Sequence, residues 1–192
     1  MNCKLFPSVL LTSMLSLYGC DTTDSASDLN SSAISHPVSD QAKSQLAQRA
    51  GAPLFDGMSA FNMPITTVNS NAQRYFDQGM VLSFAFNHAE SIRSFRAAQT
   101  LDPNCAMCFW GEALATGPNI NVTSKGKVIM SANDRKAAFA VLQSALALKH
   151  TASEREADYI DALATRYNGE FETDRDSLDL AWASAMSGLA KK

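Results

Sequence analysis

Residues 72–121 read AQRYFDQGMVLSFAFNHAESIRSFRAAQTLDPNCAMCFWGEALATGPNIN, and this stretch decides the fold. Its spacing predicts one helical hairpin followed by the first helix of a second. Tyr75, Leu82 and Phe95 are large enough to fill the space between two helices. Gly79 lets a partner helix approach closely, and Ser91 and Ala98 are small residues facing that approach. Asn87 with Glu90 three residues later is a helix-start signal. Pro103 ends the second helix, because its ring and missing N–H cannot continue the hydrogen-bond ladder. The arrangement then recurs: Phe109 lies 34 residues after Tyr75, and Ala113 lies 34 after Gly79.

Tyr75, Gln78, Gly79 and Leu82, then Ser91 and Phe95, then Pro103 resemble the tetratricopeptide pattern W-x2-L-G-x2-Y…A-x3-F…P, whose period is also about 34 residues. Gln78 stands where the pattern has Leu. Val141–Leu148 repeats Ser94–Leu101 at an offset of 47, the period plus about 13 residues, which GPNINVTSKGKVI supplies. More narrowly, residues 64–121 resemble bacterial envelope tetratricopeptide proteins, and the resemblance extends over about 54–190. It implies an all-α, TPR-like α-solenoid of stacked antiparallel helix pairs. The repeats would fall at about 72–105, 106–152 and 153–190 within a helical domain of 42–192.

Working outward, residues 42–50 predict a short helix closed by Gly51 and Pro53. Residues 54–69 carry Leu54, Phe55, Met58, Phe61, Met63 and Ile65 without periodicity, as an irregular lead-in packed on the first hairpin. A capping box at Ser70 and Gln73 would open the first helix, and Asp102-Pro103 the third. Ser153 with Glu156 would open a helix running to about Tyr167. Helices are also expected over about 133–149 and 174–190. No strand-like alternation occurs.

Upstream, Leu5–Leu17 is too short to span a bilayer as a helix but has the length of a signal-peptide core. Leu17-Tyr18-Gly19-Cys20 resembles the bacterial lipobox. That resemblance implies a signal peptide over 1–19, removed with Cys3, and acylation at Cys20. Residues 20–41 would form the flexible tether, too poor in apolar groups to fold. The protein is then expected in the bacterial cell envelope, lipid-anchored and periplasm-facing. The tether carries His36, read as solvated.

The 192 residues are 46% hydrophobic and 18% charged, which suits one domain or a short repeat array. The net charge of −3, with scattered Lys and Arg, argues against a nucleic-acid partner. No nucleophile motif, phosphate loop or carboxylate pair stands out, so the chain is not read as an enzyme, and no cofactor is expected.

Cys105-Ala106-Met107-Cys108 is the one reactive-looking spacing. It sits in the first turn of a helix, where the dipole lowers a thiol pKa. Three readings stay open: a structural disulfide or buried thiols, a redox dithiol, and a metal site. A redox motif of this kind usually comes with a βαβ context, and zinc wants four ligands. A bridge between positions i and i+3 needs a loosened first turn. His88 reads as a capping-turn or packing residue. His150 suits a helix C-terminus, and Asp174, Asp176 and Asp179 suit a first turn.

In tetratricopeptide proteins the first helix of each pair lines a concave, peptide-binding groove. Carried onto this chain, the resemblance implies Gln73, Phe76, Asp77, Met80 and Phe84, then Met107, Trp110 and Leu114. The basic and Asn side chains that clamp a terminal carboxylate in some relatives are missing there. The expected function is a membrane-anchored scaffold binding a protein or peptide. The alternatives are a redox or metal protein using Cys105 and Cys108, and a structural piece of a longer repeat lipoprotein. The final helix carries Leu178, Trp182, Ala185, Met186 and Leu189 with no capping helix after it. That pattern predicts a chain truncated relative to its relatives, or self-association through the C-terminal helix.

Overall fold

A computed structural model describes residues 39–58, 60–118, 123–124, 127–128, 130–169 and 175–192. Of the two units into which the chain divides, Met1–His36 lies outside the described residues, and Pro37–Lys192 holds all of them. The expected signal peptide, Cys20, most of the tether and Asp174 are therefore not described.

The described residues form seven α-helices. They are α1 (Asp40–Ala50), α2 (Ser70–Phe84), α3 (His88–Leu101), α4 (Ala106–Thr116), α5 (Ala132–Ala147), α6 (Glu154–Ala164) and α7 (Arg175–Leu189). The fold is all-α. The strands β1 (Thr123–Ser124) and β2 (Lys127–Val128) pair antiparallel between α4 and α5. Two residues each are too few to write a period-2 pattern, so the sequence does not announce them. The helical part starts slightly earlier than expected: Ser39 caps α1, which takes in two tether positions, and Gly51 closes it at φ 77°.

Short connectors fold α2 against α3, and α3 in turn against α4; α4 packs on α5 and α6, and α6 on α7. The centre is Phe95, fully buried on α3. Its ring meets Phe76 edge-on, with centroids 5.6 Å apart, and lies between Gly79 of α2 and Gly111 of α4. A Cβ at Gly79 would fall 2.7 Å from the ring, and one at Gly111 would also collide with it. Only glycine admits the phenyl ring from both sides. Ser91 tightens the same seam by donating to the Gly79 carbonyl at 2.7 Å. Buried Glu112 ties α4 to α3 by accepting from Arg96 and Gln99, each at 2.7 Å.

Two helix starts differ from expectation. Asn69, not Ser70, caps α2, accepting from the Asn71 and Ala72 N–H groups. Gln73 cannot complete a capping box because residues 63–65 hold its amide. The cap of α4 is Cys105, not Asp102. Asp102 instead closes α3 and accepts from Asn104, Thr67 and Val68. At α6 the expected capping box is present in both directions between Ser153 and Glu156.

Candidate functional site

The lead-in, with residues 52 and 53 before it and described except for residue 59, forms a non-helical strap, and side chains of α2 read its backbone. The Tyr75 hydroxyl donates to the Ala52 carbonyl at 2.6 Å. The Gln78 amide accepts from the Phe55 N–H at 2.7 Å and donates to the Pro53 carbonyl at 3.0 Å. Asp77 accepts from the Met63 N–H at 3.0 Å, and Gln73 from the Ile65 N–H at 2.9 Å. Glu156 on α6 finishes the strap, taking both the N–H and the hydroxyl of Thr66 at 2.5 Å. Burial pushes the Glu156 carboxyl pKa up, but the hydrogen bonds from Thr66 and Ser153 outweigh it and hold the group below its ordinary value.

Beside the strap lies an apolar cavity of about 570 Å³, within the range of ligand pockets. Met80 and Phe84 of α2, Trp110 and Leu114 of α4, and Trp182 and Met186 of α7 form its walls. Tyr159 of α6 packs edge-on against Trp110 and accepts its indole N–H through the backbone carbonyl at 3.0 Å. Arg166 lies over the Trp182 ring at 4.0 Å and donates to the Pro118 carbonyl at 2.8 Å.

The mouth of the cavity carries an unusual backbone. α2 ends with Phe86 N–H donating to the Ser83 carbonyl and Asn87 N–H to the Leu82 carbonyl. This is the paired-bond helix stop whose left-handed seat usually belongs to glycine. Here Phe86 holds it at φ 62°, where a bulky side chain costs about 1–2 kcal/mol. The residue lines the cavity and is 55% exposed, so the strained position is not repaid by burial in the core. His88 follows on the same wall. Both its ring nitrogens are buried without a hydrogen-bond partner among the described residues, and burial lowers its pKa.

Of the expected groove residues, Met80, Phe84, Trp110 and Leu114 line this cavity. Phe76 and Met107 are instead core residues, fully covered by their own chain. Gln73 and Asp77 face the strap. The wall from α7 and the strap residues Phe61 and Met63 were not expected there. The signal for α7 was present, since Trp182 and Met186 are one turn apart, but it reads equally as a packing face.

Cys105 and Cys108 are joined by a disulfide, with Cα atoms 5.4 Å apart, and both are fully buried. The first turn is loosened as such a bridge needs: Cys105 is the cap, at ψ 94°, outside helical geometry. Among the described residues no cluster of three or more His, Cys, Asp or Glu could hold a metal ion. Among the same residues no helix is long and apolar enough to cross a membrane.

No family model, no curated protein and no solved structure matches the chain.

Proposed function

We propose that this chain is a tetratricopeptide-like envelope protein, lipid-anchored through Cys20, whose groove captures an apolar segment of a partner protein. The single observation that carries the reading is the strained Phe86 at the mouth of the aromatic cavity. Backbone strain at an exposed bulky residue persists where the residue has something to do besides fold. The pairing of α2 with α3, α4 with α5 and α6 with α7, with α2, α4 and α6 all contributing to one cavity, supports a solenoid arrangement. A buried disulfide suits an oxidising compartment outside the cytoplasm.

The test is photo-crosslinking in native membranes from position 83, on the cavity wall. We expect defined protein adducts that disappear with Phe84→Glu, a change at a residue 66% exposed. Phe86→Gly should weaken the adducts while raising thermal stability, since it removes strain. Adducts unchanged in both variants would eliminate the groove. Separately, Cys20→Ala should release the protein from membranes with a loss of acyl mass. Retention without any mass change would eliminate the anchor.

A further inference from the structure

We infer that occupation of the groove is gated by pH through His88, which must be neutral for an apolar segment to be held; this rests on the groove reading above. His88 is the first residue of α3 and lines the cavity. Both its ring nitrogens are buried, and neither has a hydrogen-bond partner among the described residues. Covered in this way, they are out of reach of an occupant. His88 therefore acts on the cavity through its charge state, not by recognising a polar group. A neutral imidazole carries one donor and one acceptor, whereas an imidazolium carries two donors. The charged ring would need two acceptors that the wall does not offer.

No neighbouring charge favours the cation. Arg166 and Tyr159 are the titratable groups that line the cavity with His88, and no acidic side chain among the described residues does so. The strap contributes Phe61 and Met63, which do not titrate. The carboxylates of the surrounding helices are engaged elsewhere. On α3, Glu90 pairs with Arg93. Asp179 of α7 lies 3.9 Å from Arg166 and 2.9 Å from Arg175. Glu112 of α4 is held by Arg96, and Asp77 of α2 by the strap. The N-terminus of α3 adds the positive end of its dipole at the same place. Burial accordingly lowers the His88 pKa. An apolar occupant displaces solvent from the cavity and deepens that burial, so it lowers the pKa further. The empty protein then binds the proton more tightly than the occupied one. Affinity is full at neutral pH and falls as pH drops through the free-protein value, which lies below 6.5. A carboxylate placed against the ring would give the opposite sign.

The test is binding of N-phenyl-1-naphthylamine, an uncharged apolar dye, to the full chain, read by energy transfer from tryptophan. The titration runs from about pH 8 to about pH 5, the range in which histidine changes charge. Loss of the signal in Phe84→Glu at the alkaline end assigns it to the cavity. We expect the dissociation constant to be level at neutral pH. Below the His88 pKa it should rise by up to about tenfold per pH unit, the limit for one coupled proton. His88→Phe and His88→Gln cannot titrate, and both should give level profiles. Two variants are used because a change at the first position of α3 can disturb the helix start. In the ring NMR signals of the wild type, saturating dye should lower the pKa of His88 and leave that of His150, which is exposed, where it was. A level wild-type profile, tighter binding toward acid, the same fall in both His88 variants, or a His88 pKa that the dye does not move would each overturn the gate. In those cases Phe84-dependent binding leaves the groove reading standing. If no Phe84-dependent binding occurs at any pH, both fall.

Discussion

α2 and α7 are each 15 residues long, yet α2 buries eight of its residues and α7 only Leu189. Both carry large apolar residues at helical spacing, so intrinsic amphipathicity does not separate them. Surroundings do. α2 is enclosed by α3 on one side, α4 on another and the strap on a third. α7 packs on α6 and leaves Trp182 and Met186 half-buried at a cavity wall. The first region is a core in which each side chain has fixed neighbours. The second is a sparsely covered wall, at the weakly packed end of the stability range, where binding elements are usually found.

The comparison breaks first at Phe95. Phe95→Ala should cost about 3–5 kcal/mol and lower the denaturation midpoint of the whole domain, because the ring is shared by α2, α3 and α4. Gly111→Ala attacks the same seam by overfilling it, at about 1–3 kcal/mol. Combining it with Phe95→Leu should recover part of the loss, since the ring is what the new methyl meets. Additive losses in the double variant, read from urea titrations, would show that the glycines matter for another reason.

The disulfide comes next. Replacing Cys105 and Cys108 together by Ala removes a bridge of sequence separation 3, and closure of so short a loop contributes about 2 kcal/mol. Partner binding should survive, because the bridge is buried on the core side, away from the cavity. Lost binding in a folded double variant would bring the redox alternative back.

The latch at Glu156 sharpens the comparison through pH. Its carboxyl pKa is held below the ordinary 4.5. The stabilisation is therefore complete above pH 4.5 and is lost as pH falls through the folded value. Glu156→Gln should cost about 1–2 kcal/mol at neutral pH and flatten the acid limb of the stability curve. His88 acts in the same direction from higher pH: burial lowers its pKa below 6.5, so below pH 6.5 the unfolded chain takes the proton first and stability falls. An acid limb as steep in Glu156→Gln as in the wild type, measured by chemical denaturation, would remove Glu156 as its source.

The helical hairpin was legible because Gly79 and Ser91 fall at the repeat's expected positions and Pro103 constrains its own backbone, although the ring that Gly79 admits comes from Phe95. The capping box at Ser153 is local in the same way as Pro103. Gly111 was not legible. The repeat period pairs Gly79 with Ala113, while the ring that makes glycine necessary comes from Phe95, 16 positions away. At Ser70 the pattern was present but tertiary contact overrode it, since Gln73 serves the strap instead of the cap. The cavity divided along the same line. Met80, Phe84 and Trp110 follow from the repeat pattern. Phe76 and Met107 sit on turns that face inward, and the contributions of the strap and α7 depend on long-range packing that no spacing encodes.

The smallest stability effect belongs to the outer face of α7. Leu180 is 72% exposed, and an isolated exposed apolar residue can be replaced within about 0.5 kcal/mol. Leu180→Ser should leave the denaturation midpoint where it is. The same variant separates two accounts of this face. If copies of the chain associate through the C-terminal helix, Leu180 lies in the contact, and the substitution should shift sedimentation toward the monomer while stability stays constant. If α7 serves only as the groove wall, sedimentation will not respond to Leu180→Ser. Trp182→Ala will then weaken peptide binding instead, because Trp182 meets the cavity and Leu180 does not. Association unchanged in Leu180→Ser at high protein concentration would end the self-association account.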